Sequence, residues 1–114
     1  MEPKIVREQD LAFGPHRVYP RVFAKVLLGQ TDQPAFSTHR VRIEPGAEIS
    51  PHVHEASAET FYILAGTGVF LWSGDTVPFA TGSIGLAPAG FTHGLRNTGT
   101  KRVELLAVFS PPIA

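Results

Sequence analysis

The chain has 114 residues, and its 43% apolar content, with 8 Phe, 2 Tyr and 1 Trp, is enough for one domain with a buried core. Its 10 basic residues balance 10 acidic ones, so the basic excess typical of nucleic-acid-binding proteins is missing. The absence of cysteine excludes a disulfide scaffold, a thiolate-held iron–sulfur cluster and a cysteine nucleophile.

No segment of the sequence is expected to enter a membrane. The first 14 residues, MEPKIVREQDLAFG, are mostly polar and lack the apolar stretch of a signal peptide. The longest apolar runs, residues 61–65 and 105–109, hold 5 residues each, whereas a membrane-spanning helix needs about 20. We therefore expect a cytoplasmic protein whose partners include neither a membrane nor a nucleic acid.

Turn-forming residues divide the chain into short segments. The 11 Gly and 10 Pro recur about every ten residues, a spacing typical of all-β sandwiches and barrels. Residues 7–11 are the one place where we predict a helical turn. The predicted strands are, in chain order, residues 18–28, 36–44, 49–54, 59–65, 69–72, 77–80, 83–87, 91–97 and 103–109. So many short strands in one small domain favour a barrel or jelly roll.

Two of these strands, residues 59–65 and 103–109, are apolar on both faces. The opposing sets are Phe61 and Ile63 against Tyr62 and Leu64, and Leu105 and Ala107 against Leu106 and Val108. A strand of a small antiparallel barrel usually has one face in water, so something should cover the outer face. We predict a homodimer in which the partner subunit covers it; the alternative is a monomer covered by its own N-terminal segment.

Three histidines and a glutamate form a pattern that indicates a metal site. His52 and His54 are two residues apart on a predicted strand, so both imidazoles lie on the same face. Glu59 begins the next strand and can reach them through a turn, and strand pairing can bring His93 beside them. Three imidazoles and a carboxylate suit a divalent transition metal: iron, manganese, nickel, cobalt or zinc. On an octahedral ion they leave two positions open for water, substrate or oxygen.

The glycines and prolines around these four residues follow two known spacings. The first set is Gly46, His52, His54, Glu59 and Gly66, with 5, 1, 4 and 6 residues between successive members. The second set is Gly82, Pro88, Gly90, His93 and Asn97, with 5, 1, 2 and 3 residues between them. All ten positions match the two motifs of the cupin family, which this chain therefore resembles.

The resemblance implies an all-β double-stranded β-helix, an RmlC-like jelly-roll barrel, with the metal inside it. It implies one cupin domain over residues 1–114, with the motifs at 46–66 and 82–97. Residues 1–17 would pack on the barrel or extend it. The family's metal ligands correspond to His52, His54, Glu59 and His93, and the glycines and the proline correspond to turns. Asn97 is expected to hold a loop or strand through side-chain hydrogen bonds.

The pocket beside this site is predicted to be small and largely apolar, with no Lys or Arg inside. Strand alternation makes these residues its possible lining: His39, Phe61, Ile63, Phe91, Leu105 and Ala107. His39 is either a substrate contact or, as we favour, a hydrogen-bonded histidine of the core or rim. Arg40 and Arg42 are expected on a solvated face, and His16 in an exposed loop.

Two functions are compatible with such a site, and neither assigns a catalytic residue beyond the metal ligands. The first is a metal-dependent enzyme acting on a small organic molecule. With iron it would be a dioxygenase, and with manganese, nickel or zinc acting as a Lewis acid it would be an isomerase or lyase. The alternative is a non-catalytic module that binds a small ligand through its metal. A phosphosugar epimerase is disfavoured because the full metal set is present.

Overall fold

Glycine- and proline-rich turns separate ten strands, as expected of an all-β protein. The computed structural model describes residues 2–114. The strands are β1 (Gly14–Pro15), β2 (Val22–Leu28), β3 (Ser37–Ile43), β4 (Glu48–His52), β5 (Ala58–Ala65), β6 (Gly68–Trp72), β7 (Asp75–Phe79), β8 (Ile84–Ala87), β9 (His93–Asn97) and β10 (Val103–Ser110). The predicted helical turn is a 3-10 turn at Glu8–Asp10. Nowhere in residues 2–114 is there a helix of the length and apolarity that a membrane span requires.

The strands form two antiparallel sheets. One has six strands in the order β1-β2-β3-β10-β5-β8, and the other has four in the order β4-β9-β6-β7. From β3 onward the chain passes repeatedly from one sheet to the other, and only β6 and β7 are successive neighbours in one sheet. This winding is the double-stranded β-helix, so the predicted jelly-roll class is confirmed.

The core lies between the two sheets and follows the two-residue period of the strands. In β10 the side chains of Leu105, Ala107 and Phe109 are buried, whereas those between them are half-buried. In β5, Phe61 and Ile63 are likewise buried. Alternation in the sequence therefore predicted correctly which residues of these strands face inward.

The first long strand is shorter than predicted from its sequence. Strand β2 begins at Val22, because the chain turns at residues 20–21 and Arg21 has a φ of 61°. Pro20 lacks a backbone N–H for the sheet, and its position marks this turn. Earlier in the chain, Gly14–Pro15 form the separate strand β1, which pairs with β2.

The N-terminal segment packs against the outer face of β2 and β3. Glu8 Oε1 lies 2.6 Å from Arg40 Nε, and the Phe13 ring centroid lies 4.3 Å from Lys25 Nζ and 3.9 Å from Arg42 Cζ. Arg40 is only 6% exposed, so the prediction that it lies on a solvated face is wrong. The segment covers this arginine, a contact that the alternation within β3 alone does not reveal.

Candidate metal centre

The four residues His52, His54, Glu59 and His93 come together between the two sheets. One potential ligand atom from each lies within 4.8 Å of those of the other three. His52 ends β4 and lies directly opposite His93, which begins β9, while Glu59 comes from β5 in the facing sheet. Both sheets therefore contribute to the cluster.

Two of the histidines are held in the tautomer that a metal requires. The Nδ1 atoms of His52 and His93 lie 2.9 and 3.0 Å from the carbonyl oxygens of Ser50 and Phe91. A carbonyl only accepts hydrogen bonds, so each Nδ1 carries a proton and donates it. Each neutral ring therefore has its lone pair on Nε2, directed into the cluster, and a backbone carbonyl that accepts the other ring N–H commonly orients a metal-binding histidine in this way.

The inner atoms of the cluster are all electron-pair donors. His52 Nε2 lies 3.1 Å from His54 Nε2, and His93 Nε2 lies 3.0 Å from Glu59 Oε1. Lone pairs at these distances repel one another unless a proton or a cation lies between them. Three imidazole nitrogens and one carboxylate are ligands that suit divalent transition metals. The donor set thus fits the ion expected from the sequence.

The pKa values of His54 and His93 are shifted in opposite directions. Burial and the neighbouring His52 lower the pKa of His54 below its ordinary value. Burial opposes protonation of His93, but its hydrogen bonds with Glu59 and Phe91 outweigh burial and raise the pKa of His93. In the absence of metal, a proton on His93 Nε2 donates to the Glu59 carboxylate.

The cluster opens onto a cavity of about 290 Å³. All five histidines of the chain line this cavity. Glu59 is its one acidic residue among residues 2–114, and no Lys or Arg of that range lines it. The remaining walls are largely apolar and include Val41, Ile49, Leu95, Leu105, Ala107, Phe109 and Ile113.

The six residues predicted to line the pocket do not all lie on its wall. His39, Leu105 and Ala107 line the cavity. The other three, Phe61, Ile63 and Phe91, lie elsewhere. Phe61 packs on Phe70 with ring centroids 5.5 Å apart, Ile63 is fully buried in the core, and Phe91 is 47% exposed beside Trp72. Alternation predicts which face a residue occupies but not its height along the barrel.

His16 lies in the loop between β1 and β2, but it is half-buried and lines the cavity, so only the exposure predicted for it is wrong. Its Nδ1 accepts hydrogen bonds from the backbone N–H groups of Val18 and Tyr19, at 3.1 and 3.3 Å, which leaves the proton on Nε2. Its ring lies 4.7 Å from that of Tyr19, which is 6.1 Å from that of His52. Burial, followed by His52, lowers the pKa of His16. Nothing in the local sequence indicates that this turn reaches the metal cluster.

His39 lies on the cavity wall contributed by β3 and is 7% exposed. Burial lowers the pKa of His39, an effect that the charge of Glu59 only partly offsets. Its ring packs edge to face on the Phe109 ring, with ring centroids 5.1 Å apart. The His54 ring also packs on Phe109, with ring centroids 5.0 Å apart. Phe109 is thus the ring that His39 and the four-residue cluster have in common on the cavity wall.

Known proteins resemble this chain in both sequence and structure. Residues 39–109 match the family model described as the cupin domain. The oxalate-binding protein of Thermotoga maritima is 39% identical over 69 residues, which cover 60% of this chain and 57% of that protein. This chain therefore aligns with little more than half the length of that relative.

Two solved structures share the fold over nearly the whole chain. One, described as a predicted oxalate decarboxylase from Thermotoga maritima, has a TM-score of 0.85 and 30% identity, covering 95% of this chain and 99% of that one. The other is the polyketide cyclase RemF from Streptomyces resistomycificus, with a TM-score of 0.85, 21% identity, and coverage of 96% of this chain and 80% of that one. The second likeness concerns the fold alone.

Proposed function

Since this chain belongs to the cupin family, we propose that it binds a divalent transition metal inside its barrel and uses it to hold a small carboxylate. The proposed ligands are His52, His54, Glu59 and His93, and the ion is iron, manganese, nickel, cobalt or zinc. A carboxylate is supported by the relative named an oxalate-binding protein and by the neighbour described as a predicted oxalate decarboxylase.

The observation that carries the proposal is the convergence of four donor atoms within 4.8 Å at a largely apolar cavity. No Lys or Arg among residues 2–114 lines that cavity, so a bound cation would be its main positive charge. Apolar walls reduce solvent screening and strengthen the attraction between a cation and a carboxylate. Binding of an anionic ligand should therefore depend on the metal.

The bound metal would act as a Lewis acid that polarises a carbonyl or carboxylate oxygen. The residues of the chain hold the site in place. The carbonyls of Ser50 and Phe91 fix the rings of His52 and His93, so little reorganisation accompanies binding. Leu105 and Phe109 contribute buried apolar surface to the cavity wall.

For an enzyme, the first reaction class to test is a lyase reaction next to the carboxylate, such as decarboxylation. An isomerase would use the same Lewis acid, and a dioxygenase would require iron. One observation favours the second candidate function, binding without turnover. Glu59 is the one carboxylate lining the cavity among residues 2–114, and as a proposed metal ligand it is not free to transfer protons. Apart from the four proposed ligands, His16, Tyr19 and His39 are the side chains of the described cavity wall that could transfer a proton.

Elemental mass spectrometry of protein purified without a His-tag or added metal tests the site. We expect near-stoichiometric metal in the wild type and its loss in His52→Ala. Calorimetry with oxalate, in the presence and absence of the identified ion, then tests the ligand class. Release of carbon dioxide, consumption of oxygen or isomerised product separates an enzyme from a binding module. A wild type that takes up none of the five ions would refute the metal centre.

We also propose that the chain forms a homodimer through an apolar outer patch on β5 and β8. The patch consists of Tyr62, Leu64, Ile84 and Leu86, which are 42%, 40%, 72% and 63% exposed. Tyr62 and Ile84 lie opposite each other in the strand pair, so the patch is continuous. The N-terminal segment contacts Lys25, Arg40 and Arg42 instead. The patch is therefore the surface that we assign to the second subunit.

A further inference from the structure

Ser37 and His39 form a hydrogen-bonded pair on the inner face of β3. Ser37 is fully buried, and its Oγ lies 2.7 Å from His39 Nε2. The same oxygen accepts a hydrogen bond from the backbone N–H of Ile113 at 3.1 Å. These are the two partners of the Ser37 hydroxyl among residues 2–114.

This arrangement determines which nitrogen of His39 carries the proton. Ile113 uses a lone pair of the Ser37 oxygen, so the hydroxyl hydrogen has only His39 Nε2 as an acceptor. Leaving that hydrogen unpaired in a fully buried position would be unfavourable. Ser37 therefore donates to Nε2, and the neutral ring carries its proton on Nδ1.

The Nδ1–H group of His39 has no acceptor within residues 2–114. Among residues 2–114, Arg40 Nε is the one fully buried side-chain nitrogen or oxygen that lacks a hydrogen bond. That atom is ion-paired with Glu8, out of hydrogen-bond geometry. The Nδ1 atom of His39 lacks a hydrogen bond as well, so it is not fully buried. His39 is only 7% exposed and lines the cavity, so we assign its free N–H to the cavity side.

We propose that His39 Nδ1 donates a hydrogen bond to a second oxygen-bearing group of the ligand, and that Ser37 is the positioning residue that sets its tautomer. The proposal rests on the carboxylate-binding function above. The His39 and His54 rings each pack on Phe109, with centroids 5.1 and 5.0 Å from it, and both line the cavity at separate points of its wall, so a ligand that uses both needs two oxygen-bearing groups. The preferred class is therefore a dicarboxylate or 2-oxo acid rather than a simple monocarboxylate.

Calorimetry on the metal-loaded protein tests this selectivity with oxalate, malonate, succinate and 2-oxoglutarate against acetate. His39→Phe removes the donor and keeps a ring. We expect it to weaken the tightest of the four ligands about 10-fold or more, with acetate affinity and metal content unchanged. The matched control is Thr38→Ala, on the outer face of the same strand, which should leave every affinity unchanged.

Nitrogen-15 NMR of the wild-type imidazoles, with zinc as a diamagnetic ion, tests the tautomer without any variant. We expect a neutral His39 with its proton on Nδ1, and a change in this resonance when the tightest ligand is added. Ser37→Ala should shift the population towards the Nε2–H tautomer.

The outcomes separate this inference from the proposed function. If the wild type binds metal but no carboxylate, the ligand class is wrong in the proposed function and in this inference alike. Equal affinities in wild type and His39→Phe overturn only the role of His39. A proton on Nε2 of His39 in the wild type overturns it as well, even if His39→Phe does not fold.

Discussion

His52 and His93 lie directly opposite each other in the β4–β9 pair, with ring centroids 4.6 Å apart. Each donates its Nδ1 proton to the carbonyl of the residue two positions earlier, Ser50 or Phe91. The two rings thus use the same local device on two paired strands. The backbone of the strand pair sets the separation of the two rings, so a change in that backbone should alter the affinity for the metal.

Gly94 offers a direct way to disturb this pair. A Cβ at Gly94 would lie 2.5 Å from the carbonyl oxygen of Ile49 and 2.9 Å from the backbone nitrogen of Pro51. Since both atoms belong to the backbone, Gly94→Ala should push β4 from β9 and weaken metal binding at least 10-fold. Calorimetric metal titration measures the effect. Gly14→Ala, where a Cβ meets nothing within 4 Å, is the control. Equal affinities in the two variants would contradict the prediction.

Metal affinity should rise with pH. Burial opposes protonation of His93, but its hydrogen bond with Glu59 raises the pKa of His93, so the metal-free ring holds its proton to a higher pH than an ordinary histidine does. A metal must displace that proton, because the lone pair of Nε2 is the ligand. Affinity therefore increases until the pH passes the pKa of His93. Titration in buffers of different ionisation enthalpy measures the proton release, and a pH-independent affinity would argue against it.

Metal should stabilise the folded chain. An ion that binds only the native state at a free concentration of 100 times its Kd adds about 2.7 kcal/mol to the free energy of unfolding. Glu59→Gln removes the one carboxylate of the cluster and should abolish most of this gain. Glu55→Gln changes an exposed carboxylate nearby and serves as the control. Thermal unfolding with and without metal gives the comparison, and equal stabilisation of both variants would count against Glu59 as a ligand.

The N-terminal segment should position the mouth of the cavity. Phe13 lies over Lys25 and Arg42, and the chain continues from there to His16 and Tyr19 on the cavity wall. Phe13→Ala removes cation–π contacts and apolar cover and should lower the free energy of unfolding by about 1–2 kcal/mol. Amide hydrogen exchange at residues 16–19 should accelerate. Ile5→Ala, at a side chain 95% exposed, should change neither quantity.

A charge in the apolar outer patch should prevent dimerisation. Leu86 is 63% exposed on the edge strand β8, and Leu86→Glu would place a carboxylate in the proposed interface. We expect light scattering to show a dimer for the wild type and a monomer for the variant. Val77→Glu, at a side chain 48% exposed on the other sheet, should remain dimeric. A monomeric wild type would rule out the proposed interface.

The fold class and the four residues of the candidate metal site could be predicted from the order of residues alone. Both depend on local rules: side chains alternate along a strand, and glycine and proline mark turns. His52 and His54 share a face because they are two residues apart, and the surrounding spacing indicated Glu59 and His93. For this reason, the four residues could be named before their distances were known.

The surroundings of that cluster depend on contacts between distant parts of the chain. His39 and Phe61 both face inward, but they lie at different heights along the barrel, so His39 lines the cavity and Phe61 does not. The path of the N-terminal segment brought His16 to the cavity and buried Arg40. The contact between Ser37 and Ile113, which set the His39 tautomer, joins distant parts of the chain. Such contacts depend on how strands from different parts of the chain pack, and strand alternation carries no information about that packing.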